Sequence, residues 1–333
     1  MITDQFRALG FDELCQRLCE NKSTLIIYHV RSDADAIGSA FALRELLRVM
    51  DIPSYCACAD EIPERLSFLT DGAQGSVLLE DDMKIGCERI ISVDSASPSQ
   101  LGSLFDKVHR SIDIMIDHHA KGTVYADNYI LPDASATGEI IYSIAKRLLE
   151  MGEIEAIPPR VLNCVYAAIS SDTGGFRYAN TTPSTHRIAA ELLEQGVDAA
   201  EINRLLFDSK PLKQLQAEGE AVKRLRLYEN GRIAVTLMPY SVRAALELED
   251  EHLGTLIDVV RSVADTEVAV AIRQESDGVS FRVSMRSTGE IDVSRVCAVF
   301  GGGGHVRAAG CGITANSLLD AENAVLEEIY KVI

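Results

Sequence analysis

The stretch T24-L-I-I-Y-H-V-R-S-D-A-D-A-I-G-S-A40 changes character at its middle. Residues 24–30 (TLIIYHV) form a short apolar, β-rich run, residues 31–35 a polar turn, and residues 36–50 (AIGSAFALRELLRVM) have the apolar spacing of a helix. The unit reads strand, turn, helix, with His29, Asp33 and Asp35 in or beside the turn. Further short apolar runs follow at 54–59 (SYCACA), 89–93 (RIISV) and 112–116 (IDIMI), with helical periodicity between or after several of them. Strands alternating with helices predict an α/β fold whose N-terminal part is a doubly wound, mainly parallel sheet. Residues 4–20 read as an amphipathic helix, and 136–208 as mostly helical.

The pattern shifts beyond residue 210. Residues 211–228 read as a charged linker helix. Strands are expected at 231–238, 266–274 and 279–287, and helices at 241–247, 253–263, 292–299 and 316–332. The reading is a smaller α/β C-terminal domain with a mixed sheet, joined to the first by the helical linker: 1–210, 211–228 and 229–333. Two domains also suit a chain of 333 residues.

Composition narrows the function. Fifty acidic against 32 basic residues give a formal charge of −18. Proteins that grip long duplex nucleic acid neutralise its phosphates with basic surface, so short nucleotide substrates are favoured over long duplexes. The eight cysteines, Cys15, Cys19, Cys56, Cys58, Cys87, Cys164, Cys297 and Cys311, form no C-x-x-C pair, which points to reduced, partly buried thiols. No basic start precedes an apolar block, and no apolar run reaches the roughly 18–20 residues of a membrane span. A cytoplasmic protein without a membrane partner is expected.

Three expected strands end in chemistry. Residues 24–30 deliver His29, with Asp33 and Asp35 just beyond; 89–93 deliver Asp94; 112–116 deliver Asp117, His118 and His119. Ligands of open α/β sheets bind at the carboxyl ends of strands, so these residues should converge on one sheet edge. Asp172, in the turn SDTGG, is read as a fourth carboxylate there. Clustered carboxylates repel unless cations neutralise them, and four aspartates balance two divalent ions. An oxygen and imidazole donor set suits Mn²⁺ first, with Mg²⁺, Co²⁺ or Fe²⁺ as alternatives. Taken singly, a D-x-D is a solvated turn and Asp94 a helix cap. Ser135 and Thr137 also read as helix caps, and His186 as structural.

In order, H29-V-R-S-D33-A-D35, V93-D94, D117-H118-H119 and S171-D172-T173-G174 resemble the four motifs of the DHH phosphoesterase family. G301-G-G-G304-H305 followed by A308-A-G310 resembles the signature of the DHH-associated C-terminal domain. The resemblance spans nearly the whole chain and lies nearest the oligoribonuclease and pAp phosphatase (NrnA) group, whose relatives cleave linear or cyclic di-adenylate. It implies that His29, Asp33 and Asp94 hold one metal ion, and Asp35, Asp94, His118 and Asp172 a second, with Asp94 bridging. Such ions sit roughly 3.5–4 Å apart and lower the pKa of a shared water. His119 would contact the phosphoryl group rather than metal, and Asp117 would orient a histidine. Ser32 stands where the family has proline. A homodimer is compatible with the family.

The second domain is expected to read the substrate. Gly302, Gly303 and Gly304 would let backbone approach a ligand closely. Arg286, Ser287 and His305 would form a phosphate pocket, and Arg177 in the first domain could clamp a phosphate or pair with a surface acid. The implied activity is hydrolysis of short oligoribonucleotides or dinucleotides to mononucleotides, and of pAp to AMP. Three rivals share parts of the pattern. A pyrophosphatase or exopolyphosphatase calls for a more basic C-terminal clamp. A RecJ-like single-strand exonuclease calls for a further binding module. A non-catalytic nucleotide-binding protein predicts eroded metal ligands.

Overall fold

The computed structural model describes residues 6–70, 86–108 and 112–333. His109 and residues 4 and 5 of the expected first helix lie outside these. The chain divides into two compact units, Met1–Ser209 and Lys210–Ile333.

The first unit opens with α1 (Phe11–Leu18), β1 (Thr24–Ile27), α2 (Ala34–Val49), β2 (Ser54–Ala57) and β3 (Arg89–Val93). It continues with α3 (Ser103–Val108), β4 (Ile112–Asp117), β5 (Asp127–Ile130), α4 (Thr137–Met151), α5 (Pro159–Asp172), α6 (Pro183–Glu194) and α7 (Ala199–Asn203). Its strands lie in the order β2-β1-β3-β4-β5, and all neighbours pair in parallel. Both faces are covered. Ile26, Ile91, Val93, Ile114 and Ile116 bury against the side carrying α1, α2, α4 and α5, and Leu25, Ile27, Ile90 and Met115 against the side carrying α3. Two-sided burial explains why these strands read as near-continuous apolar runs. Each fully buried Ile or Leu contributes about 1.5–3 kcal/mol.

This strand order turns back between β1 and β3, which lie side by side while their connections leave in opposite directions. Ligands of doubly wound sheets bind at that switch point, beyond the carboxyl ends of the strands. The expected α1 is shorter than residues 4–20. Gly10 is its N-cap, and residues 7–9 run beside β5, with the Leu9 N–H donating to Asn128 O at 2.7 Å. Strand β5 itself was not anticipated.

The second unit contains α8 (Leu212–Lys223), β6 (Arg226–Tyr228), β7 (Ile233–Met238), α9 (Tyr240–Ala245), α10 (Leu256–Arg261) and β8 (Val268–Gln274). It ends with β9 (Ser280–Ser287), α11 (Val293–Val299), β10 (Gly303–His305), β11 (Ala308–Thr314) and α12 (Leu318–Ile329). The sheet runs β10-β11-β9-β8-β7-β6, parallel only between β7 and β8, and is therefore mixed. One face packs on α11 and α12; the β7–β8 part of the other packs on α8 and α10. The helix expected over 211–228 stops at Lys223. Arg226–Tyr228 instead pairs antiparallel with β7, because the sheet edge offers those backbone groups partners that an isolated helix end lacks. No helix among the described residues is long and apolar enough to cross a membrane.

Candidate metal centre

The turn after β1 is built to hold a cluster of charge. Asp33 is the N-cap of α2, its Oδ1 accepting the N–H groups of Asp35 and Ala36, each at 3.0 Å. Ser32 donates its hydroxyl to His29 O at 2.6 Å, and that hydrogen bond restrains the loop. Val30 O accepts from His29 Nδ1 at 2.9 Å. That bond fixes the ring and leaves Nε2 at 3.8 Å from Asp33 Oδ1 and 3.5 Å from Asp94 Oδ2.

Asp94 follows β3 directly and has φ 50°, a left-handed conformation that costs a non-glycine residue about 1–3 kcal/mol and tends to mark functional sites. It is buried at the switch point, one strand from β4. There Asp117 Oδ1 accepts the N–H groups of His118 at 2.8 Å and His119 at 3.3 Å, and His119 Nδ1 at 2.7 Å. Asp117 thus orients His119. His118 is oriented instead by Ala134 O, 3.2 Å from its Nδ1. Its Nε2 faces Asp172 Oδ2 at 3.3 Å, Asp94 Oδ1 at 3.7 Å and Asp35 Oδ2 at 3.8 Å.

Two helices complete the centre. Asp172 is the last residue of α5, before a turn in which Gly174 and Gly175 take positive φ. Asp35, on the first turn of α2, is fully buried. Its Oδ1 accepts from Ser39 Oγ at 2.9 Å and the Gly138 N–H at 2.9 Å, and its Oδ2 from the Thr137 N–H at 2.7 Å. Thr137 Oγ1 donates to Asp94 Oδ1 at 2.9 Å. Ser135 and Thr137 are therefore not the caps they resemble. Ala136 is the N-cap of α4 and makes no side-chain bond, while Ser135 donates to Glu139 Oε1 at 2.6 Å. Sequence reasoning missed Thr137 and Gly138 as neighbours of the ligands.

The charges perturb one another strongly. Burial, followed by the charges of Asp94 and Asp172, pushes the Asp33 carboxyl up to about 6. Burial and the same neighbours raise Asp35 well above the carboxylate range, and burial raises Asp172. Asp94 is held low despite its burial by His29 and the two histidines of β4's end. Burial alone would lower His29, but Asp94 and Asp33 outweigh it and lift the imidazole to about 9. Asp172, Asp35 and Asp94 likewise lift His118 to about 10. Hydrogen bonding to Asp117 comes first in raising His119.

Ligand atoms approach within 4.8 Å of one another in three groups: His29, Asp33 and Asp94; Asp35, His118 and Asp172; and Asp94, His118 and His119. His118 Nε2 is buried without a hydrogen-bond partner among the described residues, as is expected of a nitrogen that donates its lone pair to a cation. Carboxylates raised by mutual repulsion, with imidazoles fixed through Nδ1, form a donor set that fits divalent metal.

In the second unit, His305 pairs with Ala308 across β10 and β11, and Ala308 with Arg286 across β11 and β9. Directly paired residues share a sheet face, so Arg286 and His305 lie on one face, opposite the one buried by Phe281, Val283 and Met285. Arg286 Nη1 donates to Met285 O at 2.9 Å, and Ser287 Oγ to Ile291 O at 2.6 Å. The glycine run serves the protein's own backbone first. A Cβ on Gly302 would sit 2.3 Å from Gly310 O, and one on Gly304 2.4 Å from Ala308 O, whereas Gly303 is open. Gly303 and Gly304 belong to strand β10 and not to a loop. Arg177 turns back on its own loop, donating through Nε to Gly174 O and lying 5.9 Å above the Phe207 ring. Exposed His186 stacks on Phe176 at 5.4 Å.

Residues 23–169 match the model of the DHH family, N-terminal domain, and residues 231–333 that of the DHHA1 domain. The chain is 30% identical over 306 residues to the bifunctional oligoribonuclease and PAP phosphatase NrnA of Thermus thermophilus, covering 91% of this chain and 88% of that one. It is 24% identical over 337 residues to the cyclic-di-AMP phosphodiesterase GdpP of Geobacillus thermodenitrificans, covering 95% of this chain and 48% of that longer protein. A crystal structure of an exopolyphosphatase-related protein from Bacteroides fragilis superposes with a TM-score of 0.86 at 22% identity, covering 96% and 95% of the two chains; it supports the fold.

Proposed function

From the premise that this chain belongs to the DHH family of metal-dependent phosphoesterases, we propose that it binds two divalent ions, Mn²⁺ foremost, and hydrolyses short oligoribonucleotides and dinucleotides, linear or cyclic, to mononucleotides, and pAp to AMP. The observation that carries the two-ion reading is the division of Asp94. Its Oδ2 faces His29 at 3.5 Å and its Oδ1 faces His118 at 3.7 Å, so one carboxylate serves two ligand groups. His29 and Asp33 complete the first group; Asp35, His118 and Asp172 complete the second. Bound there, two such ions would activate water near neutral pH and neutralise charge on the phosphoryl group.

The remaining residues bind, orient and move protons. His119 is held through Nδ1 by Asp117, which raises the imidazole above its ordinary value and fixes its direction. An imidazole raised in this way suits a general acid for the leaving oxygen. In the C-terminal unit, Arg286, Ser287 and His305 take the substrate's distal phosphate or base, beside Gly303, where an added Cβ would meet open space. A charge of −18 supports short substrates over long duplexes.

The test is a panel of di- to hexaribonucleotides, cyclic and linear di-adenylate, pAp, long single strands and pyrophosphate, assayed with purified protein and Mn²⁺ and resolved by chromatography. Mononucleotide products from the short substrates and AMP from pAp are expected. Equal rates on long strands, or phosphate from pyrophosphate alone, would overturn the substrate assignment.

A further inference from the structure

The start of α4 touches the centre at two carboxylates and supplies a ligand to neither group. Thr137 is fully buried. Its Oγ1 lies 2.9 Å from Asp94 Oδ1, and its N–H 2.7 Å from Asp35 Oδ2. Gly138 adds an N–H at 2.9 Å from Asp35 Oδ1. The approach depends on Gly138 having no side chain, because a Cβ there would fall 2.6 Å from Ala168 Cβ on α5. One helix end thus grips a carboxylate from α2 by its backbone and a carboxylate from the end of β3 by a side chain.

The two grips differ in consequence. Asp35 has three donors and would keep its place without any one of them. Among the described residues Asp94 has a single hydroxyl donor beside its histidine neighbours, and its terminal torsion is intrinsically broad. Unrestrained, the carboxylate plane can turn to offer both oxygens to one group. The Thr137 hydroxyl, fully buried and 2.9 Å from Oδ1, supplies that restraint.

We infer that Thr137 is a positioning residue that locks the Asp94 carboxylate with one oxygen toward each ligand group, and that it thereby sets the affinity of the second metal ion. The inference rests on the two-ion reading. Hydrogen-bonding partners of ligands commonly tune metal affinity by about 10–100-fold, and here the effect falls on the ion that depends on the shared oxygen.

The test uses the metal-stripped full chain and Mn²⁺ alone, without substrate. Calorimetry resolves the binding steps, and the spin-exchange-coupled Mn²⁺ resonance signal reports only ions that sit close together. Thr137→Val keeps the volume and removes the hydroxyl. It should retain the first binding step, weaken the second about 10–100-fold, and lose the coupled signal at Mn²⁺ levels that saturate the wild type. Thr137→Ser restores the donor and should restore both. If Val is not tolerated, Thr137→Ala must show the same loss with the same rescue by Ser. Two ions bound by Thr137→Val or Thr137→Ala with wild-type affinity overturn this inference alone. A wild-type chain that takes up a single ion overturns the two-ion reading and this inference with it.

Discussion

Asp33 performs two tasks that a conservative substitution separates. It caps α2 through two backbone N–H groups, and its charge belongs to a repelling cluster. Asn caps a helix about as well as Asp, so Asp33→Asn keeps the first and deletes the second. A carboxyl raised from 3.8 to about 6 carries a penalty of about 3 kcal/mol when ionised. Its side chain is 46% exposed, and solvent screening reduces that to about 1–2 kcal/mol. The sign follows from linkage: a carboxyl raised in the folded state is unpenalised below its unfolded value, and stability is lost as pH rises through the folded one. Metal-free Asp33→Asn should therefore melt about 2–8 °C above the wild type at pH 7.5, at roughly 2–4 °C per kcal/mol for a unit of this size. The gap should shrink to about a third at pH 4.5. With saturating Mn²⁺ the order should reverse, because the wild type gains binding free energy that a neutral amide cannot match. Differential scanning calorimetry on chelator-treated and Mn²⁺-loaded protein checks all three, with Asp33→Ala, which loses the cap at about 1 kcal/mol, as the control. A metal-free Asn variant no more stable than the wild type at pH 7.5, or a gap that ignores pH, would refute the repulsion argument.

Two further substitutions separate chemistry from recognition. His119→Ala should lower kcat by about 10²–10⁴ and remove the pH limb of a protonated acid, while metal analysis by mass spectrometry finds the wild-type content. Loss of an ion would instead make His119 a ligand through the group it forms with Asp94 and His118. Arg286→Ala should raise KM for dinucleotides roughly 10–150-fold, the value of a charge-assisted hydrogen bond of about 1.5–3 kcal/mol, and leave hydrolysis of a small aryl phosphodiester unchanged. An unaltered dinucleotide KM would remove Arg286 from the recognition surface.

The parallel sheet was legible because two-sided burial writes each of its central strands as a near-continuous apolar run, and the run ends where the chemistry begins. The strands that escaped notice were made by their partners. In β11, Ala308, Ala309, Gly310 and Gly312 have little β preference of their own, yet every residue of the strand is registered against β9. Residues 226–228 continue a helical pattern on paper and become a strand because β7 stands open beside them. The glycine run was read as a place where backbone approaches a ligand, since nothing in its sequence says that Gly302 and Gly304 are needed against β11.

The centre divides along the same line, and the reason is chemical. A metal ligand must be one of a few residue types, so His29, Asp33, Asp35, Asp94, His118 and Asp172 leave a readable pattern even when scattered. The groups that aim those ligands are under no such restriction. His29 and His118 are set by backbone carbonyls of Val30 and Ala134, and Asp35 by backbone N–H groups 102 and 103 positions away. Almost any residue could supply those atoms, so the sequence does not record them. What it does record is steric. Gly138 is where α4 must abut α5 for its N–H to reach Asp35, and Thr137, the neighbour whose side chain does reach a ligand, passes for an ordinary helix start. For this fold, residues that orient the ligands are better sought at positions where a glycine opens a helix beside a buried carboxylate than by extending the ligand motifs.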